Sequence, residues 1–592
     1  MAHLLSQITI RNFRSIKDHT FDLSSFTPLV GYNNAGKSNI LTAIEWLLRT
    51  FALDEGFFND ATQEVEVIGK IEGITAELLE LLAEPHRNSI MPYLSNDSLT
   101  IRRTLASPGT ARNIKLSVQD PNQIGTDTEW RPNPTGIDNA ITALFPEPIL
   151  IGAMQDAGED VSKFKNTTTI GKLLAEIIAP VQENHEQTIS DALADVRALL
   201  DSDGENRAQE LIDFDNEASE KIGAFFPGIR LKVHIPTPEL KDVFSRGTIK
   251  ILEGDMANGK DIGTYGHGTQ RSIQMALIRY LADKKRGVGP NASTTLLLID
   301  EPELYLHPQA IEILRDALKR LSSEGYQVIF STHSPCMITS EDILNTILVR
   351  KVAATGTYCR NTLRAAIPTL VEDAPSQVEL IFSLTHSSEV LFSERVILAE
   401  GTTEKRVFPR IVEKITGQSL GMQKIALVVL NGSQNIKKAS EILRAMDLPT
   451  KVVADLDYVL RHGEADGCVA AGDTDIAAIM AHLAGIATGN GINLENGFPT
   501  KKNSSMTAAE AFQFLAAETA IQQNIADLHN KLNAVGVWIW KKGDLEAHLG
   551  CIDKNEAAWA AFCGRLPNEN LSDMLPDDHQ ELTDCVNWLL AE

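Results

Sequence analysis

The stretch FTPLVGYNNAGKSNILTAIEWLL, residues 26–48, decides how the first half of this chain is read. Within it, Gly31-Tyr32-Asn33-Asn34-Ala35-Gly36-Lys37-Ser38 satisfies G-x-x-x-x-G-K-[ST] at every specified position. Thr27 to Val30 reads as a short buried strand, and apolar residues at 40, 41, 44, 47 and 48 fall on helical spacing after Ser38. Strand, glycine-rich loop and helix aim backbone N–H groups and a helix N-terminus at one point, which binds phosphate. Asn33, Asn34, Ala35 and Gly36 are the expected cradle for ATP. Lys37 is placed to reach its β- and γ-phosphates and Ser38 to hold Mg²⁺.

Farther along, TTLLLIDEPELYLHP (294–308) carries a continuous apolar run, Leu296 to Ile299, as a parallel strand buried on both faces should. It ends in Asp300-Glu301. An aspartate there anchors Mg²⁺, and the next glutamate is placed to polarise the attacking water. A further strand, YQVIFSTHSP (326–335), ends at Ser331-Thr332-His333-Ser334. His333 at that end is expected to contact a γ-phosphate, the switch position of ABC-type ATPases. Such ATPases are completed by a signature loop from a second subunit. TYGHGTQRSIQMALIRYLA (264–282) is the candidate, a glycine turn opening a helix, with His267 where serine is usual and Gly268 as the first glycine. This predicts a homodimer or larger assembly. Residues 160–222 read as a helical insertion whose stripes Pro180 interrupts.

After about residue 390 the chemistry changes. SERVILAEGTTEKRVFPRIVEKI (393–415) reads as a strand ending at Glu400, then a helix with Glu404 in its first turn. TKVVADLDYVL (450–460) is another apolar strand, ending in Asp455-Leu456-Asp457. If the strand continues through both acids, residues i and i+2 face the same way and their carboxylates converge. VGVWIWKKGDLEAHLG (535–550) runs from a strand into Asp544 and Glu546. Carboxylates at strand ends, without a His/Cys cluster, suit Mg²⁺ or Mn²⁺ rather than zinc. Such ions, bound in a pair, support in-line phosphodiester displacement. Lys541 and Lys542 are candidate electrostatic helpers.

Composition sets the outer limits. With 592 residues the chain exceeds one core, and 43% hydrophobic with 22% charged residues is ordinary for a globular protein. No apolar run reaches membrane-spanning length, so no membrane partner is expected. The six cysteines lack a C-x-x-C pair and suit a reducing cytoplasm. A net charge of −25 argues against a broadly basic surface, though DNA contact can be confined to one groove or bridged by metal.

Taken in order, G-x-N-x-x-G-K-S, D-E-P-E-x-x-L-H-P, S-T-H-S-P, E-G-x-T-E and D-x-D resemble the overcoming-lysogenization-defect (OLD) family. The resemblance implies an α/β chain. An ABC/SMC-like P-loop ATPase domain with a helical insertion (1–390, insertion about 160–222) precedes a Toprim parallel-sheet α/β domain (391–592). It implies ATP-linked, metal-dependent DNA cleavage, self-association through the ATPase half, and a role in phage defence, with a partner protein in some systems. By motif match Glu400, Glu404, Asp455 and Asp457 inherit metal-binding roles, and Asp544 and Glu546 follow by looser spacing. Strand passage and primer synthesis, the other Toprim chemistries, need a tyrosine-bearing or accessory domain for which the chain has no room. A nucleotide-gated DNA clamp whose Toprim half does not cut is the alternative.

Overall fold

The computed structural model describes residues 3–145, 148–152, 169–236, 250–254, 259–285, 294–366, 388–430 and 432–591. The chain divides into two compact units. One comprises Met1–Arg14, Asp22–Phe26 and Ser38–Thr332, and the other Ser15–Phe21, Thr27–Lys37 and His333–Glu592.

In the first unit, Leu4–Phe13 pairs antiparallel with Val65–Glu72, which pairs with Ser98–Leu105 and so on through Lys115–Gln119 to Trp130–Pro132. Val65–Glu72 alternates buried and half-buried residues along its whole length, the pattern of a strand with one face on a core. The strand that leads to Asp300 behaves differently. Thr295–Ile299 is buried at every position and lies parallel between Tyr326–Thr332 and Ile149–Ile151. Helix Pro308–Ser322 packs on the neighbouring strand Tyr326–Thr332 with one stripe, burying Ile311, Leu314, Leu318 and Leu321 at helical spacing.

The insertion departs from expectation at one point. A single helix, Thr169–Leu200, continues through Pro180 instead of breaking there. Proline removes one N–H from a helix, a loss that a helix this long tolerates. Residues 160–168 of the expected insertion lie outside the described residues. Gln209–Gly223 supplies the second helix.

The second unit holds all but the first residue of strand Phe26–Val30, which runs parallel to Ile347–Val352, and that strand in turn pairs antiparallel with Gly356–Cys359. It also holds a four-stranded, wholly parallel sheet in the order Ile425–Val429, Arg395–Ala399, Thr450–Ala454, Val537–Ile539. The chain leaves Arg395–Ala399 first to one side and then to the other, so the strand order reverses there. In open parallel sheets that reversal opens a crevice at the carboxyl ends of the strands. Val396, Leu398, Val452 and Val453 are each nearly inaccessible. Every such side chain contributes about 1.5–3 kcal/mol by leaving water. Among the described residues no helix is long and apolar enough to cross a membrane, and all six cysteines are free.

Candidate functional site

The phosphate loop is shaped by backbone rather than by side chains. Asn34 and Gly36 have φ of 66° and 105°, a left-handed conformation that turns amides into an anion-binding hollow. A Cβ on Gly36 would come 2.3 Å from Oγ1 of Thr357, and that hydroxyl donates to the Ala35 carbonyl at 2.8 Å. Glycine is therefore enforced there twice over. Asn33, Asn34 and Ser38 are exposed at the loop, and helix Lys37–Leu48 starts behind them. Lys37 is buried, and its ammonium donates to the carbonyls of Gly31 at 3.0 Å and Tyr32 at 3.3 Å. It also meets Nε2 of His333 at 2.7 Å. An ammonium has no lone pair, so the imidazole nitrogen must accept.

In the other unit, Asp300 ends its strand as expected. Its carboxylate accepts from the Ser331 hydroxyl, and the same hydroxyl accepts from the Glu301 N–H at 3.0 Å. Glu301 has φ of 48°, costly for a side-chain-bearing residue and found where structure over-determines it. Arg271 supplies part of that constraint. It is buried, and its guanidinium donates to the carbonyls of Asp300 at 3.2 Å and Glu301 at 3.4 Å. Arg271 belongs to helix His267–Lys285, which opens at the glycine turn read as the signature loop. A Cβ on Gly268 would lie 2.8 Å from the Tyr305 carbonyl, and His267 stacks on Tyr305 with ring centroids 5.0 Å apart.

The carboxylates gather at the crevice of the parallel sheet. Glu400 follows the Arg395–Ala399 strand and Asp455 follows its neighbour Thr450–Ala454. Glu400, Asp455 and Asp457 each offer an oxygen, all within 4.8 Å of one another. The expected parity argument does not hold, because the strand stops at Ala454. Asp455 instead stands at the N-cap position of helix Leu456–His462 without a side-chain capping bond, and Asp457 lies in its first turn. The carboxylates converge through a helix start. Asp544 and Glu546 arrive by a backbone link, as the Leu456 N–H donates to the Gly543 carbonyl at 2.8 Å. Both are buried, and Asp544 caps the short helix Leu545–His548.

These groups fall into two sets. Among the first, Glu400 Oε2 and Asp455 Oδ1 are buried without a hydrogen-bond partner. The second set is already occupied by protein donors. Gln513 donates to both Asp544 oxygens at 2.8 and 2.9 Å, Thr403 donates to Glu546, and Lys554 lies 3.2 Å from each. Lys554 also stands 4.0 Å from Asp455. Glu404 is buried beside them. Burial, with Asp457 close by, raises the Glu400 carboxyl to about 7. Burial, with Glu546 close by, raises Glu404 to about 7. Burial and the Glu404 and Glu400 charges push Asp455 well above the carboxylate range. Oxygen-only donors, two of them orphaned, fit a hard divalent cation.

Comparison with known proteins finds two families along the chain. Residues 4–89 and 94–338 match the AAA ATPase domain family, and residues 391–457 match the overcoming lysogenization defect protein-like TOPRIM domain. The Old nuclease of Escherichia phage P2 is 38% identical over 604 residues, covering 100% of both chains. The chain belongs to the OLD nuclease family. A more distant OLD nuclease, from Thermus scotoductus, is 23% identical over 77% of this chain and 82% of its own. Endonuclease GajA of Bacillus cereus is 24% identical over 69% of this chain and 68% of its own.

One expectation about this OLD chain is corrected by the geometry. Lys541 pairs with Glu581 and Lys542 with Asp578, each at 2.7 Å, so neither serves the carboxylate cluster. The lysine that does is Lys554, in a loop that has no motif to mark it. Asp457 is held by Arg461 at 3.1 Å, and that guanidinium lies over the rings of Phe498 and Phe512, 4.6 and 5.6 Å from their centroids. An arginine one helical turn after an acid was the available signal. The aromatic residues, 37 and 51 positions farther on, had none.

Proposed function

We propose that this OLD-family ATPase and nuclease hydrolyses DNA phosphodiesters with divalent metal held by Glu400, Asp455 and Asp457. The observation that carries the reading is the meeting of these oxygens within 4.8 Å, with Glu400 Oε2 and Asp455 Oδ1 buried and unpartnered. Bound Mg²⁺ or Mn²⁺ supplies Lewis-acid polarisation of the phosphate and a more acidic water. Asp544, Glu546 and Glu404 are the residues that would hold a second ion, in place of the Lys554 ammonium that now lies against the first two. Lys554 then becomes available to neutralise charge developing on the phosphate.

In the ATPase half we assign phosphate binding to Asn33, Asn34, Ala35, Gly36 and Lys37. Mg²⁺ falls to Ser38 and Asp300, activation of water to Glu301, and γ-phosphate contact to His333. Gly268 serves the nucleotide of a second subunit, which makes the working form a homodimer or larger assembly. We keep a domain division at 390/391, with the ATPase motifs before it and the carboxylate cluster after it. The names of the relatives, nuclease and endonuclease, support cutting over clamping. A part in phage defence and action with a partner protein extend the same likeness. Free thiols at all six cysteines suit the cytoplasm.

Incubation of purified protein with supercoiled plasmid and Mg²⁺ or Mn²⁺ tests the reading. Nicking that EDTA abolishes, and that Asp455→Ala lacks, is expected. DNA binding without any nicking would favour the clamp.

A further inference from the structure

The amino ends of the parallel strands, opposite the carboxylates, carry a second feature. Arg395 begins one strand, Ile425 the next, and Thr450 and Lys451 the third. Around them lies a cavity of about 610 Å³, lined by Arg360, Arg395, Arg444 and Lys451. Glu394 also lines it, but its carboxylate is engaged by Lys424 at 2.7 Å. Four cations thus surround one cavity in a chain of net charge −25.

None of the four cations meets a carboxylate among the described residues; their partners are backbone carbonyls and, for Lys451, the ring of Trp588, 5.0 Å from its centroid. Arg360 donates to Asp447 and Glu394, and Arg395 donates to Leu590 at 2.9 Å. Lys451 donates to Trp588 at 2.6 Å and Ala591 at 2.7 Å, and Arg444 reaches Val535 at 3.4 Å. Carbonyls orient cations without neutralising them. On the arginines they use a minority of the five N–H groups each carries, and on Lys451 two of three. The Nε of Arg360 is buried with no partner at all, and a buried charged donor left unsatisfied is destabilising. Burial, with Arg395 nearby, holds the Lys451 ammonium below its ordinary range.

We infer that this cavity is a binding site for a small diphosphate-bearing anion, separate from the phosphate loop and the carboxylate cluster. Arginines present forked donors that match phosphate oxygens two at a time. The cavity volume lies within the range of small-molecule sites, enough for a nucleotide, and Pro449 and Leu589 give it an apolar wall.

The test uses the full chain carrying Lys37→Ala, which disables the phosphate loop, in buffer without divalent ions so that the carboxylate cluster takes no part. Inorganic pyrophosphate is titrated in by calorimetry. Saturable one-site binding is expected, weakened at least tenfold by Arg444→Gln and recovered only in part by Arg444→Lys, which restores the charge but not the fork. Arg444 is exposed with a single long carbonyl contact, so its replacement leaves the fold intact, which circular dichroism checks. ADP binding more tightly than pyrophosphate identifies a nucleotide occupant, and equal binding identifies the free diphosphate. Absence of saturable binding in the Lys37→Ala chain, or equal affinity in folded Arg444→Gln, would overturn the assignment.

Discussion

The Nζ of Lys424 stands over the ring of Tyr32, 4.5 Å from its centroid. Tyr32 is the second residue of the phosphate loop, and its hydroxyl donates to the Lys351 carbonyl at 2.7 Å while accepting from the Lys351 N–H at 3.0 Å. Lys424 immediately precedes the outer strand of the parallel sheet, and its ammonium also pairs with Glu394. One lysine therefore touches the nucleotide loop and the sheet that carries the carboxylates.

A contact of this kind at an exposed site contributes about 0.5–1 kcal/mol. Lys424→Ala is accordingly expected to change ATP affinity by about two- to fivefold, the same energy expressed as an equilibrium ratio. It should also alter the effect of ATP on DNA nicking while leaving nucleotide-free nicking within about twofold. Plasmid nicking with and without ATP checks this, and an unchanged ATP effect would remove Lys424 from the coupling.

For the ATPase, Lys37→Ala is expected to abolish nucleotide binding, because the ammonium that loses its place is the one at the loop. Glu301→Gln should retain binding and slow hydrolysis by about 10²-fold or more, the usual worth of a positioned base. Arg271→Met should slow hydrolysis in the same direction, because the Glu301 backbone loses a donor at 3.4 Å. Fluorescent-nucleotide binding beside phosphate release separates the two effects, and normal turnover in Glu301→Gln would exclude it as the base.

Arg461→Gln tests how Asp457 is held. Partners that orient ligating groups typically contribute 10–100-fold in metal affinity. The Mg²⁺ concentration for half-maximal nicking should rise by about that factor, with the maximal rate much less affected. Direct removal of a ligand in Asp455→Ala should cost more, abolishing cleavage while ATP hydrolysis continues. A Mg²⁺ requirement unmoved in Arg461→Gln would show that Asp457 is positioned by other means.

The raised carboxyls make stability depend on pH and metal. Glu400 and Glu404 titrate near 7 in the fold, against an unfolded value of 4.5. For an acid whose folded pKa is raised, the favourable contribution is complete below the unfolded value and is lost as pH climbs through the folded one. Metal-free protein should therefore lose on the order of a few kcal/mol between about pH 5 and pH 8. Mg²⁺ should raise the melting temperature more at pH 8 than at pH 6, since it stabilises the ionised cluster. Thermal unfolding in EDTA and in Mg²⁺ at both pH values measures this. An equal Mg²⁺ increment at the two would rule out the cluster as its source.

What the sequence determined by itself was local. A phosphate loop is one strand, one turn and one helix start, so Gly31 through Ser38 declared their role through spacing alone. Buried parallel strands are continuous apolar runs, and Glu400, Asp455 and Asp300 could be found because each stands where such a run ends. The tertiary structure decided everything that depends on distant segments meeting. Lys554 reaches Asp455 from 99 positions away, and Tyr32 finds Lys424 across nearly 400. The four cations of the second cavity come from separate stretches between 360 and 451. Even the agreement of Asp455 with Asp457 rested on a helix start that strand parity does not describe. A periodic pattern records which face of its own element a residue occupies. Which other element covers that face depends on the packing of the whole chain, and isolated lysines and arginines leave no local trace of it.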